Sequence, residues 1–239
     1  MRIAALSDFH IGARAYTDEF HHAEADFLRW LDSLEADHDR IVLVGDIYQT
    51  EHALLPGSGA AARQLARARQ RLPALAARLR GPKYLYLHGN HDAVAARELR
   101  LPEQVRLVAD DFVIVFIHGH QFDPIFHRAR AAAQAATWFT GRLRRAGLRP
   151  VAQWFEGRDV AIKHRRFGHV DGPYARAARR ILREQGADLV VMGHTHVAHQ
   201  HVLPEGRLVN TGSCSRGRRV HVTIDTLARS VEIHAAGSC

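Results

Sequence analysis

Five short clusters bring together carboxylates, imidazoles and one amide: Asp8-Phe9-His10, Gly45-Asp46, Gly89-Asn90-His91-Asp92, His118-Gly119-His120 and Gly193-His194-Thr195-His196. A single histidine beside an apolar run says little, and Gly-Asp alone says less. Five clusters in order, each directly after an apolar run, point to a chemistry. None contains cysteine, the ligand that structural zinc favours. Magnesium and calcium favour all-oxygen shells, so several imidazoles point to manganese, iron, zinc or cobalt. The donors are too many for one ion. Two divalent ions about 3.5–4 Å apart, bridged by a carboxylate, would use them all. The glycines between them allow sharp turns and close backbone approach.

The apolar runs are the elements that must position these groups. Arg2 to Leu6, "RIVLVGD" (40–46), Lys83 to Leu87, "FVIVFIHGH" (112–120) and "DLVVMGHTH" (188–196) read as strands that stop on polar residues. Ligands gather at the carboxyl ends of strands in layered α/β folds, so five such ends would converge on one place. Val105 to Val108 reads as a further strand, and residues 197–235 as short strands separated by turns. Asp18 to Leu34 has the pattern of an amphipathic helix, and residues 60–80 that of an Ala/Arg/Leu helix broken at Pro73. "LPGSGAAA" is the one linker-like loop. The expected organisation is a single α/β domain over residues 1–239, with a helical, arginine-rich insertion at 121–187.

Charge is unevenly spread. Residues 121–185 carry 13 Arg and one Lys against five acids, a net of +9, whereas the whole chain carries +8. A near-neutral body with one strongly basic segment suggests an anionic partner met by that segment. Cys214 and Cys239 are too few for a disulfide framework and read as unpaired thiols in a reducing compartment. No stretch of about 18 apolar residues exists, and "MRIAALSDFH" lacks the apolar core of a secretory signal. The expected location is cytoplasmic.

Taken in order, D-x-H, G-D, G-N-H-D, H-G-H and G-H-T-H resemble the calcineurin-like metallophosphoesterase superfamily, from residue 3 to about 213. The resemblance implies a four-layer αββα sandwich. It implies that Asp8, His10 and His196 hold one metal, that Asp46 bridges, and that Asn90, His118 and His194 complete a second. Manganese is the first expectation, with iron, zinc, cobalt or magnesium as alternatives. A metal-bridging hydroxide would attack phosphorus. His91 would protonate the leaving oxygen as general acid, with Asp92 orienting its ring and raising its pKa. His120 is a candidate for substrate contact, as are Arg165 and Arg166. His201 reads as a solvated histidine.

Between His120 and His194 lie 73 residues, far more than a crossover needs. Long segments beside an active site are usually functional lids. This one carries Trp138-Phe139 and Trp154-Phe155 among arginines, which suits a substrate with an apolar part and a phosphate part, or an anionic membrane surface. Its placement, and "RLVNTGSCSRG" after the last cluster, are similar to the UDP-2,3-diacylglucosamine hydrolase branch, whose members cleave the pyrophosphate of a lipid A precursor at the inner membrane face. That branch typically has Gly-Asn-Arg-Asp where this chain has Gly-Asn-His91-Asp92, the general superfamily arrangement, at home on phosphodiesters and phosphomonoesters. The leading expectation is a di-metal hydrolase of a lipid-linked or nucleotide pyrophosphate. The alternative is a manganese-dependent nuclease, with arginines on phosphates and tryptophans stacked on bases. A third class, non-catalytic scaffolds, has lost metal ligands, and this chain retains all seven matched positions.

Overall fold

The first apolar run shows how one strand serves two interfaces. In β1 (Arg2–Leu6), Ile3 and Ala5 enter one core while Ala4 and Leu6 enter another, because successive side chains of a strand face opposite ways. The same split holds in β3 (Arg40–Val44), with Val42 and Val44 on one side and Ile41 and Leu43 on the other. Burial on both faces is why these strands read as unbroken apolar runs rather than alternations.

A computed structural model describes residues 1–52, 57–124, 130–169 and 171–236. Two five-stranded sheets stack on each other. The first has the order β12-β11-β1-β3-β5, with β5 at Tyr84–Leu87, β11 at Arg219–Asp225 and β12 at Ser230–Ala236. Its β1, β3 and β5 run parallel, β11 runs antiparallel to β1, and β12 antiparallel to β11. The second has the order β6-β7-β8-β10-β9, built from Gln104–Ala109, Phe112–Ile117, Leu189–Met192, Gly206–Asn210 and His199–Leu203 respectively. The core between the sheets holds Val42, Val44 and Leu87 from one side and Ile114, Phe116 and Val191 from the other.

Helices complete the outer layers. α1 (Glu24–Asp37), α2 (Ser58–Arg71) and α3 (Pro73–Arg78) cover the first sheet through Phe27, Leu31, Leu65 and Leu75. A four-residue α4 (Ala95–Glu98) follows β5. After β7 come a one-turn 3-10 helix (His120–Phe122) and an antiparallel hairpin of α5 (Arg130–Arg145) and α6 (Arg149–Gly168). Then α7 (Pro173–Gln185) packs Tyr174, Ala178, Ile181 and Leu182 on the second sheet. The layers are therefore αββα.

The basic segment 121–187 divides in two. β7 and β8 pair in parallel and need a crossover; α7 is that crossover, and the α5–α6 hairpin is the true addition. Pro73 separates two helices by opening the second, where its missing N–H costs nothing. The helix expected from Asp18 begins only at Glu24, because Asp18 and Glu19 are held elsewhere: Asp18 Oδ1 accepts the Gly12 N–H at 2.9 Å, and Glu19 pairs with two arginines. The loop expected around "LPGSGAAA" is helical from Ser58, its first two residues lying outside the described residues, as does Cys239.

Phe116 is fully buried between the sheets, whereas Val108 is 53% exposed. Phe116→Ala should lower the unfolding free energy by about 3–5 kcal/mol in urea titration. Val108→Ala should change it by less than about 0.5 kcal/mol.

Candidate active site

Seven candidate ligands leave the ends of five neighbouring strands. The register sets Leu6 beside Leu43 and Val44 beside Leu87, so the loops carrying Asp8, Asp46 and Asn90 emerge side by side. Main-chain bonds zip the first two together: Asp8 N–H to Gly45 O at 3.1 Å, His10 N–H to Asp46 O at 3.1 Å and Ile11 N–H to Ile47 O at 2.9 Å. The zip continues as a two-residue parallel ladder of β2 (Ile11–Gly12) and β4 (Tyr48–Gln49). The stretch after the last cluster braces the same place. Ser213 Oγ donates to Asp8 O at 2.9 Å, and Asn210 bridges the Gly193 carbonyl and the Gly212 N–H.

Holding these side chains inward strains the backbone. Asp8, His10, Asp46, His194 and His196 have φ of 57°, 52°, 55°, 70° and 61°, a left-handed conformation that L-residues avoid at a cost of about 1–3 kcal/mol each. Gly45 has φ of 83°, and a Cβ there would lie 2.6 Å from His118 Nδ1. Gly89 is similarly required, since a Cβ would collide with the Asp46 carboxylate.

The ligand atoms converge. Asp8 Oδ1 lies 3.1 Å from His196 Nε2 and 3.7 Å from His10 Nε2, while those two nitrogens are 3.0 Å apart. Asp46 Oδ2 lies 3.1 Å from His118 Nε2. Asp8, His10 and His196 form one group with ligand atoms within 4.8 Å of one another, and Asp46, His118 and His194 form a second. Asp8 Oδ1, Asp46 Oδ2, Asn90 Oδ1 and His118 Nε2 are buried without hydrogen-bond partners. Buried polar atoms are almost always paired, and a cation would satisfy these. The donor set of oxygen and imidazole fits a divalent transition metal.

The electrostatics agree. Burial opposes the charge on Asp8 and Asp46, yet His196 and His118 beside them hold both carboxyls well below the usual carboxylate range. Burial also opposes a charge on His118, but Asp46 and Asp8 outweigh it and raise its pKa to about 9. His118 Nδ1–H donates to Val44 O at 2.7 Å, so the raised affinity for positive charge resides at Nε2.

Two expected roles change hands. Asp92 does not orient His91. Its buried carboxylate accepts the Gly89 N–H at 2.6 Å, the Ile47 N–H at 2.9 Å and the Tyr86 hydroxyl at 2.6 Å, tying the Asp46 loop to the Gly89 turn. Adjacent side chains in a loop diverge, and His91 Nδ1 instead meets Gln49 Oε1 at 2.9 Å. Nor is the His91 pKa raised; burial pushes it well below the usual histidine range despite the nearby Asp46. The His91 backbone N–H donates to Asp46 Oδ1 at 2.7 Å, leaving Oδ2 for the cation site.

A cavity of about 500 Å³ opens on the ligands, lined by His10, Asp46, Asn90, His91, His194 and His196 on one side. The hairpin roofs it with Phe139, Phe155, Val160 and Lys163. A buried ion pair docks the hairpin: Glu19 accepts Arg144 of α5 at 2.5 Å, and also the exposed Arg216 of the body at 3.0 Å. Burial opposes the Glu19 charge, but the two arginines hold its pKa at about 2. The expected contacts His120, Arg165 and Arg166 do not line the cavity. His120 lies behind His118 and His194, Arg165 is exposed, and Arg166 Nη1 donates to Asp123 Oδ1 at 3.1 Å. The cations that do line it are Lys163, paired with Asp159 at 2.7 Å, and Arg216. Helix phase could have revealed Lys163: Phe155, Asp159 and Lys163 recur every four residues on one face. Gln49, Glu19 and Asp123 gave no such signal. His201, expected in solvent, is buried with Nε2 2.7 Å from Phe167 O.

The profile of the calcineurin-like phosphoesterases matches residues 1–198. The chain belongs to that family. Members of that family typically bind divalent metals, and the ligand groups just described are candidate positions for them. Solved structures to which the chain is similar include an archaeal phosphodiesterase (13% identity, 99% of this chain and 100% of that chain, TM-score 0.47). Vps29 from Entamoeba histolytica complexed with zinc is another (15%, 99% and 98%, 0.46). A third is a predicted phosphoesterase from Streptococcus pneumoniae TIGR4 (15%, 98% and 97%, 0.43). No curated protein matches the chain.

A divalent ion that binds only the folded protein stabilises it by about 2.7 kcal/mol at 100 times Kd. Mn²⁺ added to chelator-treated phosphoesterase should therefore raise the melting temperature by about 5–10 °C. Asp46→Ala should abolish most of this rise in a thermal melt; an undiminished rise would remove Asp46 from the site.

Proposed function

We propose that this phosphoesterase uses two divalent cations, manganese first among them, to hydrolyse a substrate joining a phosphate or pyrophosphate to an apolar body. A lipid-linked pyrophosphate such as UDP-2,3-diacylglucosamine is the leading case. The observation that carries the reading is the composition of one cavity: cation ligands form its floor, and Phe139, Phe155 and Val160 form its roof. Cations there would polarise phosphoryl oxygens and supply a nucleophile from water near neutral pH.

The chain's own residues do the rest. Asp46 belongs both to the group with His118 and His194 and to a group with His10 and His91, so it is the residue placed to bridge two cations, while the His91 N–H holds its Oδ1. Gln49 accepts the Nδ1–H of His91, which leaves Nε2 to address the substrate. Burial favours the neutral form of His91, and an anionic substrate beside it would restore the basicity that a general acid needs. Lys163, paired with Asp159, and Arg216, paired with Glu19, put cationic donors on the cavity wall. A roofed cavity of this size suits a compact head group rather than a nucleic-acid strand.

The hairpin's outer surface extends the apolar path. Phe139 and Phe155 line the cavity yet remain 52% and 46% exposed, beside exposed Leu148, Val151, Trp154 and Ile162. Arg142 and Arg158 stack over Trp138 and Trp154. An apolar face rimmed by arginine suits peripheral contact with an anionic membrane, from which acyl chains would enter beneath the hairpin.

Assayed with Mn²⁺, UDP-2,3-diacylglucosamine should be cleaved and single-stranded DNA should not; cleavage of DNA alone would reverse the assignment. His91→Ala should lower turnover by about 10²–10⁴-fold on poor leaving groups and much less on bis-p-nitrophenyl phosphate, whose leaving group needs no proton. Replacing Phe139 and Phe155 together by Ser should raise KM for the lipid substrate while sparing bis-p-nitrophenyl phosphate. Equal effects on both substrates would refute the apolar path.

A further inference from the structure

His194 carries its two ring nitrogens into different surroundings. Nε2 lies 3.3 Å from Asp123 Oδ2. An ionised carboxylate only accepts, so Nε2 holds the proton and Nδ1 keeps the lone pair that a cation needs. Asp123 follows the 3-10 helix after β7 and is 2% exposed. Its other oxygen, Oδ1, accepts Arg166 Nη1 at 3.1 Å. Arg166 stands in the last turn of α6, the second helix of the hairpin.

The second imidazole of the same ligand group is anchored differently. His118 Nδ1–H donates to the carbonyl of Val44, inside the central sheet. One imidazole is thus fixed by the sheet, and the other by a carboxylate that the hairpin grips.

We propose that Asp123 is a positioning residue for His194, and that Arg166, by gripping Asp123, makes cation binding at the Asp46–His118–His194 group depend on the docked hairpin. The proposal rests on the reading above only in requiring a cation at that group. A carboxylate that orients a metal-binding imidazole is typically worth 10–100-fold in metal affinity. The helix that supplies Lys163 and Phe155 to the cavity wall therefore also governs a cation beneath it.

The test is calorimetric titration of the chelator-stripped full chain with Mn²⁺. Asp123→Ala should weaken one of the two binding events by about 10–100-fold and leave the other unchanged. Arg166→Met should weaken the same event by a smaller factor, and Arg166→Lys, which keeps the charge, should recover most of the loss. Melting temperatures in chelator identify variants that remain folded; if Asp123→Ala does not, the two Arg166 variants carry the test. Parental affinities in a folded Arg166→Met variant would overturn the proposal, as would equal weakening of both events. The expected selective weakening would support it even in a chain that hydrolyses neither UDP-2,3-diacylglucosamine nor bis-p-nitrophenyl phosphate, a result that counts against the proposed function alone.

Discussion

Two buried carboxylates facing buried imidazoles set the terms for the rest of the molecule. Asp8 and Asp46 lie at the ends of neighbouring parallel strands, with His196 and His118 each 3.1 Å from one of their oxygens. Charges removed from water are tolerated only when opposite charge compensates them. His118 has its Nδ1 occupied by Val44, so the attraction between Asp46 and His118 is satisfied by positive charge at Nε2. Five left-handed backbone conformations, the glycines at 45 and 89 and the loop zip all follow from crowding these groups together.

The outer parts answer the same constraint. Asp92, although adjacent to His91, spends its carboxylate on the backbone that presents Asp46. Gln49 reaches His91 because the β2–β4 ladder carries it there. The hairpin is fastened through Glu19 and Arg144 at one end and Asp123 and Arg166 at the other, both contacts adjoining the ligand groups. The roof of the cavity is thereby fixed to its floor.

Much of this was legible in the sequence, for a physical reason. Strands buried on both faces must be continuously apolar, so the polar residues that end them stand out; that contrast exposes the five polar clusters, whereas the assignment of seven ligands and the αββα order rest on the family resemblance. Other features left no such trace. Asp18 and Glu19 look like the opening turn of a helix until they are seen bonded to Gly12, Arg144 and Arg216. Arg165 and Arg166 are the substrate contacts expected from the sequence, whereas helix phase turns Lys163 toward the cavity and Arg166 toward Asp123. Which neighbour orients His91 depends on how two loops face each other, and no linear spacing encodes it.

Anomalous diffraction from crystals soaked in Mn²⁺ decides whether these side chains hold two cations around Asp46, as proposed. Two peaks about 3.5–4 Å apart are expected, one beside Asp8, His10 and His196 and the other beside Asn90, His118 and His194, with Asp46 between them. A single peak, or none within reach of Asp46, would contradict that arrangement.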